Sequence, residues 1–425
     1  MSTTPPSPAA FKPLMAADEA LATLLAAVAP LGRTDTLPTP AARGRVLAQD
    51  LISPVDVPPH DNSAMDGYAM RAADVPAAGT LLQLSQRIAA GQVGAPLQPG
   101  TAARIFTGAP VPEGADAVVM QEQCEAVAGE GGAPGAVRVN IRPASGLAIR
   151  RRGEDVAQGR TVLTAGTRLG PAAIGLAATV GAAELRVAAR PRVALFSTGD
   201  ELVQPGQPLP PGAIYNSNRF MLQALLEGLG CEVHDLGNVP DRLDATRAAL
   251  REAAAGHDLI LSSGGVSVGE EDHLKPALEA EGRLALWALA IKPGKPLAFG
   301  QVLRAEAPGQ PTHFIGLPGN PVSSWVTFVL FVRPVLLAMM GVPRDALAPP
   351  ALPLRADFDW PRPDRRREFL RARLNADGGL ELFPHQGSGV LTSVAWADGL
   401  VDVAPGQAIV AGQTVRFLPF STLAP

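Results

Sequence analysis

At 425 residues the chain is longer than one compact core normally supports, and its length alone predicts about three domains. A hydrophobic content of 47% and a charged content of 18% exclude global disorder, and a formal net charge of −4 at pH 7 argues against general nucleic-acid binding. The two cysteines, Cys124 and Cys231, form no metal-ligand pattern, which favours inert thiols in a reducing cytoplasm.

The N-terminal residues 1–13 are rich in Pro, Ser and Thr and contain no apolar core of the kind that a signal peptide has. The longest apolar stretches are 171–183, which is short and rich in Ala and Gly, and 326–342, which contains Arg333 and Pro334. Neither matches the roughly 20 apolar residues needed to cross a bilayer. We therefore expect a cytoplasmic protein with no membrane partner.

The first part of the chain predicts one helix and a small β-rich region. Leucines recur at helical spacing over 18–28, which predicts a helix there. Residues 53–71 contain several prolines and are predicted to be a structured loop, and short strands separated by turns are expected over 80–139. The glycine-rich segment 129–135 lies between two strand-like runs, so we interpret it as a hairpin loop.

After residue 190 strands and helices alternate, which predicts a central doubly wound, mostly parallel α/β domain. The predicted elements are strands at 192–197, 232–236, 258–261, 296–301 and 312–317, and helices at 217–229, from Asp241 as cap to about 255, and after 321. From about residue 349 short strands with Pro and Gly turns return, which predicts a small closing β barrel or sandwich.

Four polar segments follow predicted strands directly, at 198–201, 239–241, 262–272 and 318–321. Because ligands of open α/β sheets bind at the carboxyl ends of strands, we expect these segments to converge. Residues 262–272 read Ser-Ser-Gly-Gly-Val-Ser-Val-Gly-Glu-Glu-Asp, and Ser/Gly-rich backbone between a strand and a helix offers N–H groups to a phosphate. The sequence therefore predicts an enzyme that binds a phosphorylated ligand.

Two groups of basic residues have both a functional and a structural interpretation. Lys292 and Lys295 lie in Lys-Pro-Gly-Lys-Pro, where a rigid backbone holds two charges in a way that suits an oxyanion; the alternative is a solvated turn. The arginines at 150–152 form either a solvated, ion-paired face or a surface that attracts an anion. The polar runs 365–369 and 385–389 are equally open to both interpretations.

Several carboxylates lie beside Gly, Ser or Pro in turn-like contexts, namely Asp66, Asp200, Glu201, Asp241 and Asp272. Each alone is explained as a helix cap or an Asx turn. Near a phosphate, however, such a group suits Mg²⁺, which combines a few carboxylates with phosphate oxygens. The scattered histidines predict no zinc or copper site, and no Gly-x-Ser-x-Gly nucleophile pattern is present.

Seven motifs in this order resemble the molybdopterin molybdenumtransferase family, which includes the MoeA proteins and the gephyrin E domain. They are DNSAMDGYA at 61–69, TGAPVPEGAD at 107–116, RGED at 152–155, STGDE at 197–201, the segment 262–272, KPGKP at 292–296 and LPGNP at 317–321. The resemblance extends from about residue 18 to the end. The Ser-Gly-Gly-Val-Ser motif alone is less specific, because molybdopterin adenylyltransferases and CinA-like proteins share it.

The resemblance implies a homodimer of elongated subunits with the active site between them. The implied domains are a discontinuous mixed helical and β domain (1–52 and 147–189), a β domain (53–146), an α/β molybdopterin-binding domain (190–345) and a C-terminal β barrel (346–425). The implied reaction inserts molybdate into adenylylated molybdopterin and releases AMP, with Mg²⁺ as cofactor. A transient contact with molybdopterin adenylyltransferase is also implied.

The resemblance implies roles for three sets of residues, which agree with the chemistry of the motifs. Catalysis is assigned to Asp66, Glu201, Asp241 and Asp272, of which the last three also form the expected Mg²⁺ site. Substrate binding is assigned to Thr107, Arg150, Thr198, Gly199, Asp200, Ser262, Ser263, Gly264, Gly265, Val266, Ser267, Pro318, Asn320 and Pro321. Molybdate binding is assigned to Lys292, Lys295, Arg366 and Ser388. The resemblance implies that Asp66 and Thr107 reach the site from the partner subunit.

Two positions depart from the pattern that the resemblance implies. Ala288 follows Trp287 where many relatives carry Lys, and Asn216 stands where relatives often carry Asp. The alternatives to molybdate insertion are a tungstate-inserting paralogue, a scaffold protein of the gephyrin type and a nucleotide pyrophosphatase.

Overall fold

A computed structural model describes residues 14–129, 135–266, 273–304, 306–307 and 309–423. The helices in these residues are α1 (Ala17–Ala27), α2 (Pro171–Thr179), α3 (Ser217–Gly228), α4 (Leu243–Gly256), α5 (Leu274–Glu281), α6 (Pro321–Thr327), α7 (Arg333–Met339), α8 (Thr392–Trp396) and α9 (Phe420–Leu423). A π-helical turn, Phe328–Val332, joins α6 to α7. The N-terminal residues 1–13 and the acidic end of the Ser/Gly-rich segment, 267–272, lie outside the described residues, as does most of the predicted hairpin loop at 129–135.

The strands fall into a short-stranded N-terminal part, a central series and a C-terminal group. The first part has β1 (Thr34–Pro38), β2 (Leu51–Ile52), β3 (Asn62–Ser63), β4 (Gly67–Met70), β5 (Thr80–Ile88), β6 (Thr101–Ile105), β7 (Ala117–Met120), β8 (Cys124–Val127), β9 (Ala136–Val139), β10 (Ile149–Arg150), β11 (Thr161–Leu163) and β12 (Glu184–Ala188). The central series has β13 (Arg192–Thr198), β14 (Leu202–Val203), β15 (Ile214–Tyr215), β16 (Glu232–Val239), β17 (Leu259–Ser263), β18 (Gly282–Ala288), β19 (Ile291–Lys292), β20 (Pro296–Val302) and β21 (Thr312–Leu317). The C-terminal group has β22 (Leu352–Arg355), β23 (Arg367–Leu374), β24 (Leu380–Leu382), β25 (Gly399–Val403) and β26 (Thr414–Pro419).

The central sheet confirms the predicted α/β fold. Its strand order is β16-β13-β17-β21-β20-β18, and the first four strands are parallel. Strand β20 pairs antiparallel with β21, and β18 pairs antiparallel with β20. Strand β18 was not predicted. A short connection leads from β18 to β20, and such a link permits only antiparallel pairing, because parallel neighbours need a long crossover.

Helices cover both faces of this sheet, which makes it doubly wound. One face packs α3, α6 and α7 into a core that also includes Leu24 of α1 and Phe369 of β23. The other face packs α4 and α5 over Phe196 and Phe314. Helix α1 and the C-terminal strands thus share one apolar core with the sheet that carries the strand-end segments.

The other predicted β regions have their own sheets. Strands β7-β4-β6-β5-β9-β8 form one sheet, whereas β1 with β12 and β2 with β11 form short antiparallel pairs. The prediction of a loop over 53–71 was wrong in part, because β4 pairs with strands on both sides and buries every residue from Gly67 to Met70. This short run has too few residues to show a clear strand period among the neighbouring prolines.

The C-terminal strands form a curled sheet of order β19-β23-β25-β26-β22, with β24 also on β23. A single bridge between Ala356 and Leu380 joins the two sides of this sheet, so the predicted barrel is closed at one point only. Because β19 belongs to the α/β chain segment and pairs with β23, the C-terminal sheet is attached directly to the Lys292 region.

One described helical stretch, Pro321–Met339, is long and apolar enough to cross a membrane by composition alone. It is 89% buried inside the protein, and a helix in a protein core can be equally long and apolar. The stretch contributes Val326, Phe331 and Leu336 to the core on one face of the sheet, which explains its composition.

Candidate functional site

The carboxyl ends of the parallel strands bring the predicted polar segments together. Strands β17 and β21 lie side by side with Ser263 opposite Leu317, and the amide of Gly264 donates to Leu317 O at 3.1 Å. Ser262 and Ser263, predicted to follow the strand, are the last two residues of β17. The segments after these two strands therefore start from one point at the sheet edge.

Two consecutive glycines let the chain turn tightly against β13. Gly264 and Gly265 have φ of +91° and +66°, in the left-handed region that favours glycine. A Cβ on Gly264 would lie 2.6 Å from Thr198 O, and one on Gly265 would lie 2.8 Å from Thr198 Oγ1. Any side chain here would both strain the backbone and collide with β13.

Asn218, in the first turn of α3, ties two of the segments together. Its Nδ2 donates to Ser263 Oγ at 2.8 Å and to Gly319 O at 2.7 Å. Ser324 Oγ donates to Pro318 O at 2.7 Å, which holds the other end of the Pro318–Pro321 turn. No role was predicted for Asn218. Its position at the start of a predicted helix, directly after a polar segment, is the sequence feature that could have indicated one.

Several buried polar atoms at this edge have no hydrogen-bond partner within the described residues. They are Ser197 Oγ, Thr198 Oγ1, Asn216 Nδ2, Asn218 Oδ1, Asn238 Oδ1 and Ser262 Oγ. A buried polar group without a partner is unfavourable, so a group of them at one sheet edge is typical of a surface that binds a polar ligand.

The segments after β13 and β16 also meet. Asn238 Nδ2 donates to Gly199 O at 3.2 Å, and the amide of Asp241 donates to Asp200 Oδ1 at 3.3 Å. The prediction that Asp241 caps a helix was wrong: α4 begins at Leu243 with Arg242 at the N-cap position, because residue 241 is tied into the loop. A Cβ on Gly199 would lie 2.5 Å from Glu201 Oε2, so the Glu201 carboxylate lies over this loop.

The predicted metal site is only partly described. Within residues 14–129, 135–266, 273–304 and 309–423, no group of three or more His, Cys, Asp or Glu residues is placed to hold a metal ion. Asp272 and Ser267 lie outside the described residues. The predicted acidic ligands that are described, Glu201 and Asp241, belong to two adjoining loops.

The basic residues lie where the C-terminal sheet joins the α/β domain. Strand β19 places Lys292 beside Glu368 of β23, with Lys292 Nζ 3.0 Å from Glu368 Oε1 and 3.6 Å from Asp364 Oδ2. Arg366 Nη2 lies 2.8 Å from Asp364 Oδ2. Lys295 is exposed, and it forms no ion pair in the part of the chain that the structure describes.

Ser388 is attached to the start of α6. The amide of Val322, one residue beyond Pro321, donates to Ser388 O at 2.9 Å. This bond connects the loop around Ser388 with the Pro318–Pro321 turn, so predicted residues from two domains adjoin here.

The predicted residues in the β domain form a separate local pair. Asp66 Oδ1 accepts from Thr107 N and Thr107 Oγ1, both at 2.8 Å. The bond from the Thr107 amide is the main cause that lowers the pKa of Asp66. Among the described residues, the hydrogen bonds of Asp66 and Thr107 stay within the β domain.

Arg150 is exposed in strand β10, opposite Asn62 of β3. The next two arginines are ion-paired, Arg151 with Asp61 at 2.6 Å and Arg152 with Asp56 at 2.5 Å. For these two the ion-paired interpretation of the arginine run is correct.

Family models match the chain in three consecutive parts. Residues 15–181 match the MoeA N-terminal region (domains I and II), residues 194–338 match the probable molybdopterin binding domain, and residues 353–420 match the MoeA C-terminal region (domain IV).

Similar proteins share the whole architecture. Molybdopterin molybdenumtransferase of Haemophilus influenzae is 39% identical over 396 residues, which cover 92% of this chain and 95% of that protein. Molybdopterin molybdenumtransferase 2 of Mycobacterium tuberculosis is 39% identical over 394 residues, which cover 90% and 94%. The crystal structure of the molybdopterin biosynthesis MoeA protein from Pyrococcus horikoshii superposes with a TM-score of 0.81 at 28% identity, over 96% of this chain and 100% of that one. The chain therefore belongs to the molybdopterin molybdenumtransferase (MoeA) family, a family of transferases in molybdenum cofactor biosynthesis.

Proposed function

We propose that this protein inserts molybdate into adenylylated molybdopterin and releases AMP. The observation that carries the proposal is the convergence of Thr198, Gly264 and Gly319 at one sheet edge, surrounded by buried polar atoms without partners in the described residues. A phosphorylated pterin fits such an edge, since backbone at strand ends binds phosphate. Family membership then specifies which phosphorylated ligand is expected.

The phosphate and pyrophosphate part of the substrate is assigned to the loops after β13, β17 and β21. The glycines at 264 and 265 allow the closest approach of a ligand, because they carry no side chain. The phosphate is assigned to the backbone of the Ser262–Ser267 stretch where it leaves β17, and the Pro318–Pro321 turn is assigned as the opposite wall. Residues 267–272 complete this segment in the proposal.

The molybdate dianion is assigned to the junction between β19, the Arg366 loop and Ser388. Lys292 and Arg366 already meet at a carboxylate oxygen of Asp364, so the two cations are placed to hold one negatively charged oxygen between them. Ser388 lies next to the Pro318–Pro321 turn, which adjoins the proposed phosphate site. The two substrates would thus bind side by side.

Mg²⁺ is proposed as a cofactor held by Glu201 and Asp241, with Asp272 from the segment outside the described residues. The donor set fits this ion, since Mg²⁺ takes one or two protein carboxylates and fills its other positions with water and phosphate oxygens. When bound, it would neutralise charge on the pyrophosphate linkage. Asp200 Oδ1 holds the Asp241 backbone and thereby fixes the position of this loop.

We further propose a cytoplasmic homodimer in which Asp66 and Thr107 reach the partner subunit's cleft. The pair is held by two hydrogen bonds within the β domain, and both use Asp66 Oδ1, so among the described residues Asp66 Oδ2 accepts no hydrogen bond. A transient contact with the adenylyltransferase that supplies the substrate follows from the same reaction. A monomer in light scattering at micromolar concentration would contradict the dimer.

The function is tested by measuring AMP release from adenylylated molybdopterin with and without molybdate. We expect release to depend on molybdate in the wild type and to be largely lost in Asp272→Ala. Asp244→Asn, which alters an exposed ion pair with Arg242, is the matched control and should behave as the wild type. Equal release with and without molybdate would contradict the insertion reaction.

A further inference from the structure

Four charged side chains form a compact cluster at the proposed oxyanion site. Lys292 and Arg366 supply two positive charges, and Asp364 and Glu368 supply two negative charges. The cluster is therefore formally neutral. A site of this composition gives a dianion no net attraction unless one carboxylate moves away.

Glu368 is the fixed carboxylate. Its side chain is 1% exposed, and its Oε2 accepts from Trp360 Nε1 at 2.9 Å and from the Asp364 amide at 3.1 Å. Its Oε1 has no hydrogen bond within the described residues, so the charge of Lys292 at 3.0 Å compensates it. Moving this group would break the local structure.

Asp364 is the carboxylate that can move. Its backbone is held at both ends, because its amide donates to Glu368 Oε2 and its carbonyl accepts from the Gly406 amide at 2.8 Å. The side chain lies in a loop and is 21% exposed, against 1% for Glu368, so water reaches the Asp364 carboxylate and not the Glu368 carboxylate. The Arg366 guanidinium lowers the pKa of Asp364, which is thus an anion at neutral pH.

One oxygen of Asp364 contacts two of the proposed molybdate ligands, Lys292 and Arg366. Oδ2 lies 2.8 Å from Arg366 Nη2 and 3.6 Å from Lys292 Nζ, while Oδ1 accepts from the Arg366 amide at 3.0 Å and from its Nε at 3.1 Å. The Nε and Nη2 edge of Arg366 is a pair of donors that suits an oxyanion. While Asp364 holds this edge, a substrate oxygen cannot bind it.

We propose that Asp364 is an internal counter-ion of the oxyanion site, which occupies the place of a molybdate oxygen and must rotate away before molybdate binds. The proposal rests on the proposed function, because that function assigns Lys292 and Arg366 to molybdate. Asp364 keeps the two cations in place without substrate and lowers the affinity of the site for every anion. Asp364 is thus a positioning residue that acts through Arg366 and Lys292.

The test is molybdate binding by isothermal titration calorimetry on the full-length protein at fixed low ionic strength. Asp364→Asn removes the charge but keeps an oxygen that can accept from the Arg366 amide. We expect it to bind molybdate about five- to tenfold more tightly, the effect of removing two partly exposed ion pairs that compete with the ligand. Asp364→Ser keeps a smaller acceptor and should change affinity in the same direction.

Asp357→Asn is the matched control. Asp357 accepts from Nε and Nη2 of Arg355, two residues away, at 2.7 and 2.9 Å, just as Asp364 accepts from Arg366. It should leave molybdate binding unchanged. Arg366→Ala should weaken molybdate binding both in the wild type and in combination with Asp364→Asn.

The outcomes separate the two proposals. If wild type binds molybdate, Arg366→Ala loses binding and neither Asp364 variant binds more tightly, the internal counter-ion is overturned and the site assignment stands. If no variant binds molybdate, or Arg366→Ala binds as the wild type does, both proposals about this site fail. If Asp357→Asn also bound molybdate more tightly, the gain in affinity would come from the net charge of the protein. That outcome would also overturn the specific role of Asp364.

Discussion

Thr198 and Gly265 lie so close together that a methyl group on Gly265 would come within 2.8 Å of Thr198 Oγ1. Thr198 is the last residue of β13 and Gly265 lies just beyond the end of β17, and their contact helps to set the shape of the proposed phosphate site. Gly265 also has φ of +66°, where a residue with a side chain is strained.

Gly265→Ala should therefore lower the free energy of unfolding by about 1 to 3 kcal/mol and reduce molybdate-dependent AMP release strongly. Gly181→Ala is the control, because Gly181 has φ of +80° but nothing within 4 Å of its added Cβ. It should show only the backbone strain, about 1 kcal/mol, and unchanged AMP release. Urea unfolding measures the change in stability, and the AMP-release assay measures the change in activity. Equal effects of the two substitutions would show that the contact between Gly265 and Thr198 is unimportant.

Asn218→Ala removes the side chain that links β17 to the Pro318–Pro321 turn. One buried and one part-buried hydrogen bond are lost, and we expect the free energy of unfolding to fall by about 1 to 3 kcal/mol. Because the link sets the spacing between two walls of the proposed site, the KM for adenylylated molybdopterin should also rise.

Gln223→Ala on the same helix is the control for Asn218→Ala, since the Gln223 side chain donates to Glu227 near the surface and, in the part of the chain that the structure describes, to no other group. It should alter stability by less than about 0.5 kcal/mol and leave the KM unchanged. An unchanged KM in Asn218→Ala would mean that the link supports the fold alone.

The sequence was sufficient for the α/β core, because strands contain continuous apolar runs, such as 193–196 in β13, and a helix follows each parallel strand along the chain. The convergence of the strand-end segments followed from this topology. The hydrogen bonds of Asn218 and the pairing of Asp364 with Arg366 did not, because they depend on side-chain directions in loops. The antiparallel strand β18 was missed because four of its seven residues, Gly282–Ala288, are Leu or Ala, which favour a helix over a strand.

Asp258 offers a test of stability against pH. Burial alone would raise its pKa, but hydrogen bonds from Arg33 and from the Arg192 amide, with both positive charges, lower it below the ordinary value of 3.8. A carboxyl group whose pKa is lowered on folding stabilises the protein above its ordinary pKa and loses that contribution as pH falls toward the folded value. The stabilisation should therefore be complete at pH 7 and decline below about pH 4.

Asp258→Asn should then lower the free energy of unfolding at pH 7 by about 1 to 3 kcal/mol, with a smaller difference from wild type at pH 3. Urea unfolding at the two pH values measures this. Asp244→Asn, in an exposed pair, should show less than about 0.5 kcal/mol at either pH. A difference that does not shrink at pH 3 would mean that Asp258 acts through its shape and not through its charge.

Lys292 and Lys295 look equivalent in sequence, yet the structure gives them different roles. Lys292 compensates Glu368, which is 1% exposed, whereas Lys295 is exposed. Lys292→Met leaves a buried carboxylate without its counter-ion, and because Lys292 itself is 42% exposed we expect a loss of only about 1 to 3 kcal/mol in stability. Lys295→Met should change stability by less than about 0.5 kcal/mol, although both substitutions should weaken molybdate binding.

The double variant Lys292→Met/Glu368→Gln distinguishes charge compensation from packing. If Lys292 stabilises the fold by neutralising Glu368, removing both charges should recover part of the stability that Lys292→Met loses, and a double-mutant cycle in urea gives the coupling energy. Molybdate binding should not recover, because the cation itself is missing. Strictly additive losses in stability would show instead that Lys292 stabilises the fold through the packing of its aliphatic stem. The charges of Lys292 and Glu368 would then lie close together without stabilising each other.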